Sequence, residues 1–257
     1  MNSYFYKVWI PLQIITAISF VSILLGYVEV DWTLVFVSWM LIGVIGMGVG
    51  YHRLFSHRQF ETWKPVEYCI ALLGTLSCYA PLLFWASQHQ YHHSVVDAVD
   101  DPSSPTQHGF WESFLWWRFR SGVIKKINLR NYCSRIILRD KFLMFVSAHF
   151  NSINLAFAIF LLICGPFWII NLWIIPIFIE HFRINLVSSC SHIKLPGSYK
   201  VFDTEDQSYN HPIIGLATMG FGWHNNHHHN QRELINTHRW WEIDIEGQIS
   251  KLISKRI

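Results

Sequence analysis

Four long apolar stretches restrict the fold of this chain more than any other feature of its sequence. Each is about 20 residues long, and they cover approximately residues 8–28, 32–51, 142–164 and 167–189. A helix of about 20 apolar residues crosses the ~30 Å core of a bilayer, and in lipid the backbone must satisfy its own hydrogen bonds. We therefore predict an all-α integral membrane fold with four transmembrane helices. We expect residues 1–257 to form one domain.

The composition agrees with a membrane protein and argues against several other classes. Hydrophobic residues make up 51% of the chain and charged residues only 14%, which is typical of one membrane-embedded domain rather than two soluble ones. The formal net charge of +3 is too small to indicate a nucleic-acid partner. The five cysteines show no CxxC spacing, so we expect reduced thiols rather than disulfides.

The basic residues are distributed very unevenly along the chain. Eleven Lys and Arg residues fall between His52 and Lys141, seven follow His192, and neither short turn between paired spans carries any. Basic loops stay on the cytoplasmic side. We therefore predict a multi-pass membrane protein with both termini in the cytoplasm and a helical cytoplasmic cap formed by residues 52–141 and 190–257. The apolar stretch at about 66–85 is flanked by histidine motifs that must share one side, so we expect it to be buried or re-entrant and to lie in the membrane interface.

Histidines form the second distinctive pattern of the sequence. The spacing HxxHH occurs at His89 and again at His224, and positions i, i+3 and i+4 share one helical face. His52 and His57 are five residues apart, which does not suit one face of a regular α-helix. We expect the helix to end or bend there, so that a loop brings His57 round. The candidate metal ligands of the three motifs are His52, His57, His89, His92, His93, His224, His227 and His228.

So many histidines indicate a metal centre with two ions. Neutral imidazole suits iron, zinc, copper or nickel, so ligand type alone does not choose the metal. A single zinc takes about four ligands, fewer than the motifs offer. Asp97, Asp101 and Asn225 are candidates for orienting the rings through hydrogen bonds. The alternative for the two aspartates is that they are solvated loop charges.

The three motifs in this order, between long apolar segments, resemble the integral-membrane fatty acyl desaturases, especially the stearoyl-CoA desaturase-like (delta-9) branch of bacterial type. The resemblance runs from about Val49 to Trp241, and its bacterial type implies a bacterial inner membrane. It is carried by the segments Gly50–Arg58, Asp101-Pro102 and Gly220–His228.

The resemblance implies an oxidoreductase that uses O2 and a non-haem centre of two iron ions to desaturate a fatty acyl chain. It adds His192 as a ninth ligand, within a pattern that has Asn where this chain has Ser188. Ser188 is therefore a candidate for holding a metal-bound water. No GxGxxG, P-loop, haem or ferredoxin-like motif is present, so electrons must come from an external donor, a ferredoxin or a cytochrome-b5-like protein.

The sequence also bears on the carrier of the acyl chain. Animal acyl-CoA members of the family have Arg-Asp before the first HxxHH, whereas this chain has the uncharged Ser87 and Gln88. We therefore expect an acyl-carrier protein or a membrane lipid rather than coenzyme A. A basic stretch can serve as the docking surface for the carrier, or can be ordinary flanking charge. Its candidate residues are Arg118, Arg120, Lys125 and Lys126.

The second span suggests a determinant of chain length. Met40, Val44 and Gly48 recur at four-residue steps on one face and, with Trp85, are candidates for lining the acyl tunnel. If Val44 fills the end of the tunnel, the enzyme should prefer acyl chains of about sixteen carbons or fewer. Each methylene that cannot enter the tunnel loses about 0.8 kcal/mol of burial free energy. A Val44→Ala enzyme should accept longer chains from a mixed-length pool. The alternative is that this face packs against a neighbouring helix.

Two other functions remain open at this stage. A hydroxylase or an acetylenase on the same scaffold, acting on a carrier-protein-bound chain, is not separated from a desaturase by any residue, and mass spectrometry of the products would decide. A non-catalytic membrane metal-binding protein would instead need ionisable residues distributed through the bilayer. The metal content of the purified protein tests that reading.

Overall fold

A computed structural model describes residues 10–117 and 129–255 of the chain. Within these ranges the regular structure is entirely helical. The only strand-like pairings there are isolated bridges of Asn210 with Tyr199 and with Trp223. The all-α prediction is confirmed for the described residues.

Ten helices, numbered in chain order, organise the described part of the molecule. Short helical turns at Pro105–His108, Glu112–Trp116, Leu129–Tyr132 and Arg135–Arg139 connect them. The ten are α1 (Ile10–Leu24), α2 (Trp32–His57), α3 (Lys64–Leu76), α4 (Leu82–Ser94), α5 (Lys141–Ala148), α6 (Phe150–Cys164), α7 (Pro166–Cys190), α8 (Pro212–Ala217), α9 (His224–His229) and α10 (Ile245–Ile253).

Two of the described helices are long and apolar enough to cross a membrane. They are α2, with 26 residues, and α7, with 25 residues. Helices α5 and α6 meet at an angle of 68° and make a third span only if the bent pair is counted as one. The uninterrupted third span expected from the sequence is therefore replaced by a bent pair. Helix α1 is apolar but has only 15 residues.

Helix α2 corrects the expectation for the first histidine motif. The helix neither ends nor breaks at His52 but continues to His57 as a π-helix over Met40–His57. Its hydrogen bonds therefore join residues five apart, and this spacing brings His52 and His57 to the same side. The helix stops at Arg58, whose backbone is left-handed with φ 56°.

The apolar stretch at 66–85 folds into parts of two helices, α3 and α4, separated by residues 77–81. Helix α3 lies directly on α2, where Gly46 and Gly74 allow the two backbones to touch. A Cβ atom on Gly46 would lie 2.5 Å from the backbone nitrogen of Gly74. The segment leaves His57 and returns to it at His89, whose Nε2 lies 2.8 Å from that of His57. The segment therefore begins and ends beside the same histidines, and its place in the membrane interface stays a prediction.

Five buried charged residues join α2, α7 and the C-terminal helix α10. Arg183 binds Glu180 on its own helix at 2.8 Å and Glu246 on α10 at 2.5 Å. Arg53 on α2 binds Asp244, which caps α10, at 2.8 Å. Glu180 and Arg183 are three residues apart on one helix, a spacing that lets oppositely charged side chains pair. The cluster fixes the C-terminal segment against the helices that carry the histidines.

Candidate metal centre

Five of the nine predicted ligand histidines form one group, which we call the first group. The Nε2 atom of His89 lies 2.8 Å from Nε2 of His57 and 3.2 Å from Nε2 of His93. The Nε2 atom of His227 lies 3.1 Å from Nε2 of His93 and 3.2 Å from Nε2 of His52. The motifs on α2, α4 and α9 thus meet at one point in the molecule.

The other four histidines form the second group, beside the first. Four histidines are placed to bind a single ion, because their ligand atoms all lie within 4.8 Å of one another: His92, His192, His224 and His228. Nε2 of His224 is 2.9 Å from Nε2 of His192. His192 follows the end of α7, so the group draws on α4, α7 and α9.

The protonation state of these rings suits metal binding. Burial, reinforced by the neighbouring imidazoles, lowers the pKa of His89, His93, His224 and His227 well below its usual value. The rings are therefore neutral at pH 7 and offer a nitrogen lone pair. Ligand nitrogens at about 2.1 Å from one ion lie about 3.0–3.4 Å apart, close to the Nε2 separations in the first group. The donor set fits a pair of imidazole-bound metal ions.

Two of the three residues predicted to orient the rings lie against histidines of the second group. Nδ1 of His92 is 2.9 Å from Oδ2 of Asp101, and Nδ1 of His192 is 3.0 Å from Oδ2 of Asp97. Burial favours a higher pKa for Asp97, but its hydrogen bond and charge interaction with His192 outweigh it and hold that pKa well below the usual range. Burial also favours a higher pKa for Asp101, but the charge of His92 and its hydrogen bond outweigh burial and lower that pKa. Both carboxylates are therefore ionised and fix their rings with Nε2 turned inward.

Sequence reasoning missed a third such residue, Asp206. Its Oδ2 lies 2.9 Å from Nδ1 of His228. Burial raises the pKa of Asp206, but the hydrogen bonds from His228 and Ser208 outweigh it and hold the pKa far below its ordinary value. No spacing relates Asp206 to the histidine motif that begins at His224, so no signal in the sequence identified it.

Asn225 contacts the loop at 200–208, which carries Asp206, and not a histidine ring. Its Oδ1 accepts hydrogen bonds from the backbone N–H groups of Val201 and Phe202 at 2.8 and 2.9 Å, and its Nδ2 donates to the carbonyl of Phe202. The predicted orienting role is therefore indirect, because Asn225 anchors the segment that carries Asp206.

A narrow cavity of about 30 Å³ reaches both groups of histidines. Trp85, predicted to line the tunnel, borders it and stacks on His89 with 4.8 Å between ring centroids. Ser188 also borders it, and its hydroxyl donates to the carbonyl of Ile184 at 2.9 Å. The lining residues are Tyr79, Trp85, Gln88, His89, His92, Ser103, Trp117, Ile184, Val187, Ser188, Phe221 and His224.

The other three predicted tunnel residues do not line this cavity. Val44 is fully buried and Met40 half-buried. Gly48 lies against the carboxylate of Glu246, which occupies the place a Cβ atom would take. At Gly48 the helix face is thus a packing face, the alternative left open by the sequence, and the role of Val44 in chain length stays a prediction. The predicted carrier-docking residues, Arg118, Arg120, Lys125 and Lys126, lie outside the described residues.

Comparison with known proteins agrees with this geometry. The family model described as fatty acid desaturase matches residues 31–244. An sn-2 palmitoyl-lipid 9-desaturase of Nostoc sp. is 35% identical over 217 residues, covering 82% of this chain and 74% of the relative.

Two further relatives carry related names. An sn-1 stearoyl-lipid 9-desaturase of Synechocystis sp. is 31% identical over 252 residues, covering 96% of this chain and 77% of the relative. An acyl-CoA 5-desaturase of Anemone leveillei is 31% identical over 213 residues, covering 82% of this chain and 65% of the relative. Buried histidines in metal-binding groups and a family match over most of the chain lead to one conclusion: this protein belongs to the fatty acid desaturase family and is an oxidoreductase that desaturates fatty acyl chains.

Proposed function

We propose that this desaturase introduces a double bond at carbon 9 of an acyl chain carried by a membrane glycerolipid, using O2 and two iron ions. The observation that supports it most is the convergence of nine histidines, six of them buried, in two adjacent groups beside a narrow cavity lined by apolar and polar side chains. The position of the new bond is proposed from the names of the Nostoc and Synechocystis relatives, both 9-desaturases.

We assign one iron ion to each group of histidines. His52, His57, His89, His93 and His227 hold one ion, and His92, His192, His224 and His228 hold the other. Iron bound there would supply the activation of O2 needed to remove two hydrogens from an unactivated chain.

The cavity residues hold the substrate in place beside this centre. Trp85, Ile184 and Phe221 present apolar surface at the cavity and keep one pair of C–H bonds at a fixed position beside the histidines. Ser188 presents its hydroxyl oxygen at the same cavity, where it can accept a hydrogen bond from a bound water.

The proposal of a lipid carrier rests on the residues that precede His89. Ser87 is buried, with its hydroxyl donating to the carbonyl of Leu83 at 2.6 Å, and Gln88 borders the cavity. Neither side chain carries a charge that would pair with coenzyme A. The relatives from Nostoc and Synechocystis are both named as acyl-lipid enzymes. An acyl-carrier protein is the second candidate.

The proposed arrangement in the membrane places four crossings in a single domain. They are α1, α2, the bent pair α5–α6, and α7, with both termini and the histidines on the cytoplasmic side. The distribution of Lys and Arg supports this orientation. An external ferredoxin or cytochrome-b5-like protein supplies the electrons.

The test uses the full chain in liposomes with a ferredoxin and its reductase, offered glycerolipid, acyl-CoA and acyl-carrier protein that bear the same saturated chain. We expect a mono-unsaturated chain from the glycerolipid, identified by mass spectrometry of the released fatty acids. Turnover of a thioester but not of the lipid would overturn the lipid proposal. A hydroxylated or acetylenic product would replace desaturation by one of the alternative reactions.

A further inference from the structure

The two groups of histidines differ in what lies behind their rings. In the second group, three of four rings contact a carboxylate through Nδ1. These contacts are His92 with Asp101, His192 with Asp97, and His228 with Asp206. Three negative charges thus surround the position of one ion.

The first group has no such support. Among the described residues, no carboxylate lies within ion-pair distance of its five rings, and the Nδ1 atoms of His52, His93 and His227 are buried without a hydrogen-bond partner. The Nδ1 atom of His57 faces only the neutral amide of Gln90, at 3.0 Å. An ion in this group would be held by neutral rings alone.

The first group also borders a second, polar cavity. This cavity has a volume of about 350 Å³ and includes His57 and Gln90 in its wall. Arg58, Gln231 and Arg232 border it as well, and Arg232 is exposed to solvent. No ring of the second group lines it. Water and small anionic solutes therefore have a route to the first group that avoids the narrow cavity beside Trp85.

We propose that the two metal positions are unequal, with the second group binding its ion first and releasing it last. A carboxylate behind an imidazole raises the basicity of the ligand and fixes its direction, and removing such a partner typically costs about 10–100-fold in metal affinity. Three carboxylates also offset the charge that a buried divalent ion brings. In this chain Asp97, Asp101 and Asp206 are positioning residues, and a half-loaded protein holds its ion in the second group. The inference rests on the proposed two-metal centre.

The test follows the release of iron from the full-length protein in detergent. Protein loaded anaerobically with ⁵⁷Fe(II) is first analysed for iron per chain, then mixed with an excess of a chelator that forms a coloured complex with Fe(II). We expect two phases of equal amplitude. Asp206→Asn should accelerate the slow phase about 10-fold or more and leave the fast phase unchanged. Gln90→Ala should accelerate only the fast phase.

A matched control and a spectroscopic signal separate positioning from general damage. Asp203→Asn removes the same charge from an exposed position on the same loop and should change neither phase. In Mössbauer spectra, the iron that remains after the fast phase should give one quadrupole doublet, and Asp206→Asn should alter that doublet. Release in a single phase, or equal acceleration of both phases by Asp206→Asn, would overturn the inference. Binding of only one iron per chain before chelation would instead overturn the proposed two-metal centre.

Discussion

His228 and His229 are adjacent in sequence, but only His228 belongs to the centre. Its Nδ1 contacts Asp206 at 2.9 Å, whereas His229 is exposed and stacks on Phe202 with 3.7 Å between ring centroids. We expect His228→Ala to abolish product formation and to lower bound iron, because one of four ligands of the second group is lost. His229→Ala should keep both product formation and bound iron at the level of the unchanged protein. Iron analysis of the purified variants decides, and iron loss in His229→Ala with retention in His228→Ala would show that the last motif is assigned in the wrong register.

Residues with a periodic pattern could be predicted, and residues brought in by a loop could not. The HxxHH spacing identifies one helical face at His89 and again at His224, because helix geometry fixes which positions face together. His192 came from the family pattern rather than from its spacing. Asp206 has neither a motif nor a helical relation to His228, since its position depends on how the loop at 200–208 folds.

At the scale of the helix, Arg183 is the residue on which two others depend. It binds Glu180 and Glu246, both buried, and also donates to the carbonyl of Thr218. Arg183→Gln would leave buried Glu180 without its cation and Glu246 with Arg53 alone, at 3.6 Å. Removing one partner of a buried pair costs about 3–5 kcal/mol. We therefore expect a loss of this order in the unfolding free energy, measured by denaturant titration in detergent.

The matching control removes a charge from an exposed pair. Glu61 is 3.6 Å from Arg58, and 75% of its side chain is exposed. Glu61→Gln should change the unfolding free energy by less than about 1 kcal/mol. Equal effects of Glu61→Gln and Arg183→Gln would mean that the buried cluster does not hold α10 in place.

The elements were predictable where local rules decide them. The spacing of Glu180 and Arg183 on one helix accounts for their pairing, but the contact of Arg183 with Glu246 joins positions 63 residues apart. The π-helix of α2 escaped prediction because apolar periodicity assumes α-helical geometry. The bend at His149 between α5 and α6 escaped it because the stretch at 142–164 reads as continuously apolar.

At the scale of the whole molecule, acid should destabilise the metal-free protein, because the centre joins α2, α4, α7 and α9. Burial lowers the pKa of His228 to about 4 despite Asp206, and burial also lowers the pKa of other rings in the centre, among them His89, His93, His224 and His227. In the unfolded chain each ring titrates near 6.5. The unfolded state therefore binds more protons between about pH 6.5 and 4, so the unfolding free energy falls as the pH falls through this range.

The ring of His92 opposes this loss of stability in acid. Bound metal should also reduce the loss. Burial lowers the pKa of His92, but Asp101 outweighs burial and raises it, so the contribution of His92 is complete below about pH 6.5 and is lost as the pH rises through the higher, folded pKa. Because five rings have a lowered pKa and one has a raised pKa, the free energy of unfolding still falls in acid. We expect the unfolding temperature of metal-free protein in detergent to be highest above pH 6.5 and to drop steadily towards pH 4.5. Iron-loaded protein should begin this drop at a lower pH, since the ion competes with protons for the same nitrogens. An unfolding temperature that is flat from pH 7.5 to 4.5 would show that the rings are not buried as neutral groups.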